Sequence, residues 1–153
     1  MFNIVLYQPQ IPPNTGNIIR LCANTGAKLH LIEPIGFSLD EKACRRAGLD
    51  YHELADVVKW NSLDDYLFQT QINRVWAITK FGGNRYDKAS FLPWDTILFG
   101  SEIEGLPDIV HKTLNVSKKL FIPMCKGSRS LNLSNAVSII TFEAWKQNNF
   151  LQK

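Results

Sequence analysis

The chain predicts an α/β fold: a mainly parallel sheet with helices on both faces, in a single domain spanning residues 1–153. Two patterns carry that prediction. Short runs such as Phe2–Tyr7 (F-N-I-V-L-Y) and Thr96–Gly100 are apolar along most of their length, as strands buried on both faces are. Helix-length stretches separate them at a regular beat, which is what crossovers between parallel strands require. Composition agrees, with 45% hydrophobic and 20% charged residues over 153 positions. A chain of that length buries roughly 70% of its unfolded surface and needs no disulfide or metal staple.

In chain order, Phe2–Tyr7 is a strand closed by Gln8-Pro9. Asn14–Thr25 is a helix, with Asn14 as N-cap after Pro12-Pro13 and Gly26 as its stop. Lys28–Ile32 is a strand, Leu39–Ala47 a short basic helix, Val57–Trp60 a weak strand and Leu63–Gln69 a helix. Arg74–Thr79, Thr96–Gly100 and Leu120–Met124 are further strands, with a helix near Pro107–Leu114 before the last of them. A long helix, Leu133–Gln147, completes the pattern. No repeat, low-complexity tract or linker interrupts it. Ligands in such folds sit beyond the C-terminal ends of the strands, near a topological switch point, so the loops there are the ones to read.

Several function classes drop out. Lys and Arg number 17 against 14 Asp and Glu, a net charge of +3 that is compatible with an RNA partner without pointing to one. Cys22, Cys44 and Cys125 are far apart with no C-x-x-C, and Met1-Phe2-Asn3 opens no signal peptide; reduced thiols in the cytoplasm are expected. His30, His52 and His111 form no H-x-x-x-H pair, so no metal site is expected. No apolar run approaches the ~18 residues of a membrane span.

Three loops carry polar chemistry at expected strand ends. The first, Pro12-Pro13-Asn14-Thr15-Gly16-Asn17-Ile18-Ile19-Arg20, enters a helix but has neither G-x-G-x-x-G nor G-x-x-x-x-G-K-[ST], which argues against a Rossmann or P-loop enzyme. Its helix N-terminus and Arg20 suit an anion. In the second, Leu98 to Pro107, a strand ends at Gly100, where a missing Cβ lets a ligand approach the backbone, and Glu102 stands at the mouth. The third, Ile122 to Asn135, opens from a strand into a Ser/Asn-rich turn and a helix starting near Asn132, suited to cradling a polar cofactor.

Together the segments N-T-G-N-I-I-R (14–20), L-F-G-S-E-I-E-G-L (98–106) and I-P-M-x-x-x-S-R-S-L-N-L-S-N-A-V (122–137) resemble, in order, the three motifs of the SPOUT methyltransferases. The likeness runs from Phe2 to Trp145 and is nearest to the small enzymes that methylate the wobble-position ribose of tRNA. It implies an α/β sheet with a C-terminal trefoil knot, which periodicity alone would never suggest because un-knotted chains are the default. It also implies S-adenosylmethionine as cofactor, bound by Ile78, Thr79, Phe99, Gly100, Glu102, Gly105, Ile122, Met124, Ser130 and Leu131, with Asn135 nearby.

The implied reaction is attack of a ribose 2′-hydroxyl, on the wobble cytidine or modified uridine, at the sulfonium methyl. The family usually assigns the position of Arg20 as the base. A guanidinium is effectively always protonated, so phosphate binding and stabilisation of the developing alkoxide suit Arg20 better. Asn14 and Asn132 would orient the hydroxyl. For the tRNA anticodon stem-loop, candidate contacts are Lys42, Arg45, Arg46, Lys126 and Arg129.

The last helix points to a homodimer on its own evidence. Leu133, Ala136, Val137, Ile140 and Ala144 share one face, while Ile139, Phe142 and Trp145 fall on another arc, so the helix is apolar on two sides. The family likewise forms dimers whose active sites draw on both subunits. Phe142 stands where close relatives carry Tyr, and Glu104 where they often carry a basic residue. The alternatives are 2′-O-methylation at another tRNA or rRNA position, and a non-catalytic module that binds S-adenosylmethionine or RNA.

Overall fold

The structure is a computed structural model that describes residues 2–38, 57–71, 74–81, 83–113 and 118–151. Its elements are β1 (Asn3–Tyr7), α1 (Pro12–Thr25), β2 (Lys28–Ile32), β3 (Val57–Trp60), α2 (Leu63–Thr70), β4 (Val75–Ile78), β5 (Asn84–Arg85), β6 (Thr96–Phe99), α3 (Asp108–Thr113), β7 (Lys119–Phe121) and α4 (Leu133–Gln147). The strands form one sheet in the order β3-β2-β1-β6-β4-β7-β5, and every strand pair is parallel. The chain steps outward from β1 to β2 and β3. It then returns to the far side of β1, where β6 later inserts beside it. That reversal is the switch point, and the C-terminal ends of β1, β6, β4 and β7 converge there.

The four strands β2, β1, β6 and β4 each feed two cores, one per face. Ile4 and Leu6 of β1, Leu29 and Leu31 of β2, Trp76 of β4, and Ile97 and Phe99 of β6 pack under α1 and α4, against Ile18, Ile19, Val137, Ile140 and Ala144. The alternating residues Val5, Ile32, Val75, Ala77 and Leu98 pack on the other face against Tyr66 of α2 and Val110 of α3. The period of two within mostly apolar runs is what places helices on both faces.

Several expectations are corrected. The first helix begins at Pro12, not Asn14. Its N-cap position is Ile11, which offers no side-chain cap, and Pro occupies the first turn, where a missing N–H costs nothing. Gly26 ends it in the left-handed conformation (φ 68°), as expected. The last strand stops at Phe121 rather than Met124, because Pro123 has no N–H for the ladder. The two-residue edge strand β5 and the 3₁₀ turn Tyr86–Lys88 went unforeseen, since Asn84 and Arg85 are exposed and carry no apolar alternation. The basic helix expected over Leu39–Ala47, with Lys42, Arg45 and Arg46, lies outside the described residues. Among those described, no helix is long and apolar enough to cross a membrane.

Two polar clusters lie inside this frame. Asp95, 1% exposed, receives Arg74 Nε at 2.5 Å, Trp76 Nε1 at 2.7 Å and the Leu92 N–H at 2.9 Å, which ties the start of β6 to β4. On the other face, buried His30 accepts from Trp60 Nε1 through Nδ1 at 3.1 Å, so its proton sits on Nε2, facing Asn3 Oδ1 at 3.4 Å. Burial, helped by Lys28, pulls the His30 pKa down to about 4.

Unfolded, the same group titrates near ~6.5. The unfolded chain therefore takes up a proton between those values that the folded chain refuses. Stability is full above about pH 6.5, falls as pH drops and levels off below about pH 4, a loss of about 3 kcal/mol. Urea midpoints at pH 7 and pH 4.5 measure it, and His30→Gln will shrink the difference between them.

Candidate active site

Three strand ends and two helix starts meet at the switch point around a cavity of about 400 Å³. Ile78 and Thr79 enter it from the end of β4, Phe99 and Gly100 from β6, Ile122 and Met124 from β7, and Ser130, Leu131 and Asn132 from the loop before α4. The turn Ser101–Gly105 forms one rim. It is drawn tight by Ser101 N–H to Gly105 O at 3.2 Å and Gly105 N–H to Ser101 O at 3.0 Å, with Gly105 at φ 73°.

Gly100 is required for a reason that the sequence does not signal. A Cβ there would lie 2.1 Å from the Gly105 carbonyl carbon and 2.3 Å from Leu106 N, so the chain's own turn already leaves no room for a side chain.

A hydrogen-bonded chain of side chains joins the three sequence loops. The Glu102 carboxylate accepts from Gln10 N–H at 2.8 Å, Ile11 N–H at 3.2 Å and Asn14 Nδ2 at 3.0 Å. It thus caps α1 from outside, at the end where the helix dipole favours negative charge. Asn14, 5% exposed, accepts from Asn132 Nδ2 at 2.8 Å. Asn132 is the N-cap of α4, its Oδ1 accepting from Ser134 N–H at 2.9 Å and Ser134 Oγ at 2.7 Å. Every amide in the chain is thereby oriented, and each NH₂ keeps a second proton for another acceptor.

The expected site residues divide accordingly. Ile78, Thr79, Phe99, Gly100, Glu102, Gly105, Ile122, Met124, Ser130 and Leu131 line the one cavity, together with Asn14 and Asn132. Glu102 does so with its carboxylate turned to α1 rather than offered to a ligand. Asn135 is exposed outside the lining, its N–H facing Asn132 Oδ1 at 3.4 Å.

Arg20 is not among the lining residues either. It stands with Asn17 and Asn24 on the exposed face of α1, about two turns from the helix start. Lys126 and Arg129 are exposed on the loop that leads to Ser130.

On α4, Ile139 and Trp145 are half-buried and Phe142 is 48% exposed. Part of this second arc is covered by the chain's own end. Trp145 Nε1 donates to Leu151 O at 2.9 Å, and its ring meets that of Phe150 at 5.4 Å.

Sequence reasoning missed Lys80, Phe81, Leu106 and His111, which also line the cavity. The turn after Ile78 was a legible strand end, but nothing local signals that α3 brings His111 to it.

Comparison with known proteins agrees with this geometry. The model of the SpoU rRNA Methylase family matches residues 1–142. A tRNA (cytidine(34)-2'-O)-methyltransferase of Aeromonas hydrophila is 51% identical over 147 residues, covering 96% of this chain and 94% of that protein. A structure described under the 2-OH methylation of C/U34 on tRNA superposes with TM-score 0.89 at 40% identity, covering 97% of each chain. The SpoU methyltransferase AviRb of Streptomyces viridochromogenes, solved in complex with AdoMet, shares the fold with TM-score 0.83 at 22% identity, over 96% of this chain and 60% of that one. The parallel sheet, its cavity at the switch point and the match over nearly the whole length make this chain a member of the SpoU rRNA methylase family.

Proposed function

We propose that the protein is an S-adenosylmethionine-dependent methyltransferase acting on the ribose 2′-hydroxyl of the wobble nucleotide, cytidine or modified uridine, in the anticodon loop of tRNA. The observation that carries this reading is the single cavity walled by the 100–105 turn and the 130–132 loop and tied to α1 through Glu102, Asn14 and Asn132. The relatives at about half identity, named for that activity, support it.

The residues present fit the cofactor. About 400 Å³ suits a nucleoside-sized ligand, and Ile78, Phe99 and Ile122 give apolar walls for adenine beside the hydroxyl of Ser130. When bound, S-adenosylmethionine supplies the electrophilic methyl group and its thioether leaving group. The chain's own task is alignment. Asn14 and Asn132, each with one free amide proton, hold the ribose hydroxyl; Glu102 fixes the Asn14 amide against rotation, and Asn14 and Ser134 fix that of Asn132.

Arg20 acts across a homodimer, where a second copy presents the outer face of α1 to this cavity and its guanidinium binds the adjacent phosphate. Exposed Phe142, Phe150 and Leu151 give that second copy an apolar surface to cover. The knotted threading of the loop before α4, and a cytoplasmic location where tRNA is processed, belong to the same reading.

Incubating the protein with labelled S-adenosylmethionine and unmodified bulk tRNA, followed by nucleoside mass spectrometry, tests it. Label on the 2′-oxygen of the first anticodon nucleotide is expected. Label elsewhere moves the substrate to another position, and cofactor binding without transfer makes the chain a binding module.

A further inference from the structure

One aromatic ring stands out at the rim of the cavity. Phe81 follows β4 in the turn Thr79-Lys80-Phe81, which is closed by the Phe81 N–H donating to Thr79 Oγ1 at 3.1 Å. Its side chain is 72% exposed, whereas Phe99, deeper in the cavity, is 2% exposed. Its neighbours are cationic or aromatic. Lys80 Nζ lies 5.0 Å from the ring centroid, and the His111 ring meets it edge-on at 6.1 Å and 83°. His111 is itself held in place, since its carbonyl accepts from Lys119 Nζ and so fastens α3 to β7. Lys80, Phe81 and His111 all line the cavity.

We propose that Phe81 is a stacking platform for an unpaired nucleobase of the RNA next to the nucleotide being methylated, with Lys80 and His111 beside it facing the adjoining phosphate. The inference rests on the tRNA reading and names the contact that reading lacks. A planar ring with an open face, next to an ammonium and an imidazole, matches an unstacked base joined to an anionic backbone.

A ring so exposed is not a wall of the adenosyl pocket, whose apolar sides are already supplied by Ile78, Phe99 and Ile122. A protein partner would call for a broad apolar patch, and this ring is bordered by charge.

Steady-state methylation of an unmodified tRNA transcript by the full-length protein tests the platform, with cofactor affinity measured separately by calorimetry. Phe81→Leu, apolar but not planar, will raise the tRNA KM by roughly ten-fold or more while kcat and cofactor affinity stay within about three-fold. Phe81→Trp will restore KM. A thermal midpoint matching wild type in both variants excludes misfolding.

An unchanged KM in Phe81→Leu overturns the platform alone. Equal weakening of cofactor and tRNA overturns it too, by assigning the ring to the cofactor. A wild-type chain that transfers no methyl to tRNA overturns the reading beneath it.

Discussion

Glu102→Ala will lower the turnover of methyl transfer by about 100-fold while leaving S-adenosylmethionine affinity within a few-fold of wild type. The reason lies in what the carboxylate holds. It accepts from two backbone N–H groups at the start of α1 and from Asn14 Nδ2, and Asn14 in turn accepts from Asn132. Alanine leaves Gln10 and Ile11 to water, which reaches them because that end of α1 is only partly buried.

Stability therefore falls by only about 1–2 kcal/mol. Asn14, however, loses the partner that fixes its amide, and a displacement of about 1 Å in a positioning group costs on the order of 100-fold. Glu102→Gln will fall between, because its carboxamide keeps one acceptor and turns an N–H toward the remaining donors. Single-turnover rates at saturating tRNA, with cofactor binding followed by calorimetry, check both variants. A cofactor affinity that falls in step with turnover would show that Glu102 touches the ligand rather than the amides.

The largest stability effect is expected at Asp95. Asp95→Ala will destabilise the fold by about 3 kcal/mol and lower Tm by roughly 10 °C. Its carboxylate is the common acceptor for Arg74, Trp76 Nε1 and the Leu92 N–H in a site 1% exposed to solvent. Removing it leaves a buried indole N–H and a backbone N–H without partners. The Arg74 side chain, 39% exposed, regains water, which keeps the cost at the lower end for a broken ion pair. Asp95→Asn will cost less, since its one carbonyl oxygen still serves part of the cluster. Denaturant unfolding at pH 7 measures the difference, and below the lowered Tm the activity should persist because the cluster lies at the opposite end of β6 from Gly100.

Much of this architecture was legible in the sequence. Mostly apolar runs marked β1, β2, β4 and β6 within a residue or two, because burial on both faces favours apolar residues at successive positions. The boundaries of α4 were readable too, since Asn132 has the side chain that an N-cap needs.

What was not legible depends on contacts between distant residues. Asn14 reads as a cap, yet the group that caps α1 is Glu102, 88 residues away from Asn14. Gly100 reads as a place for a ligand, yet it makes room for the turn that ends at Gly105. Arg20 belongs to the same motif as Asn14, but it stands six residues further along α1, on the exposed face and outside the lining of the cavity that Asn14 enters. His111 and Phe81 meet only because the chain returns through α3, and neither stretch carries a sign of the other.

The central claim is that the turn at Gly100–Gly105 and the loop at Ser130–Asn132 form one receptacle for the methyl donor. A crystal structure of the protein with S-adenosylhomocysteine, the demethylated product, tests it most directly. The account predicts the adenine between Phe99 and Ile122, flanked by Gly100 and Leu131, with Glu102 still bonded to Asn14. Product bound outside this cavity, or the two loops separated around it, would contradict the account.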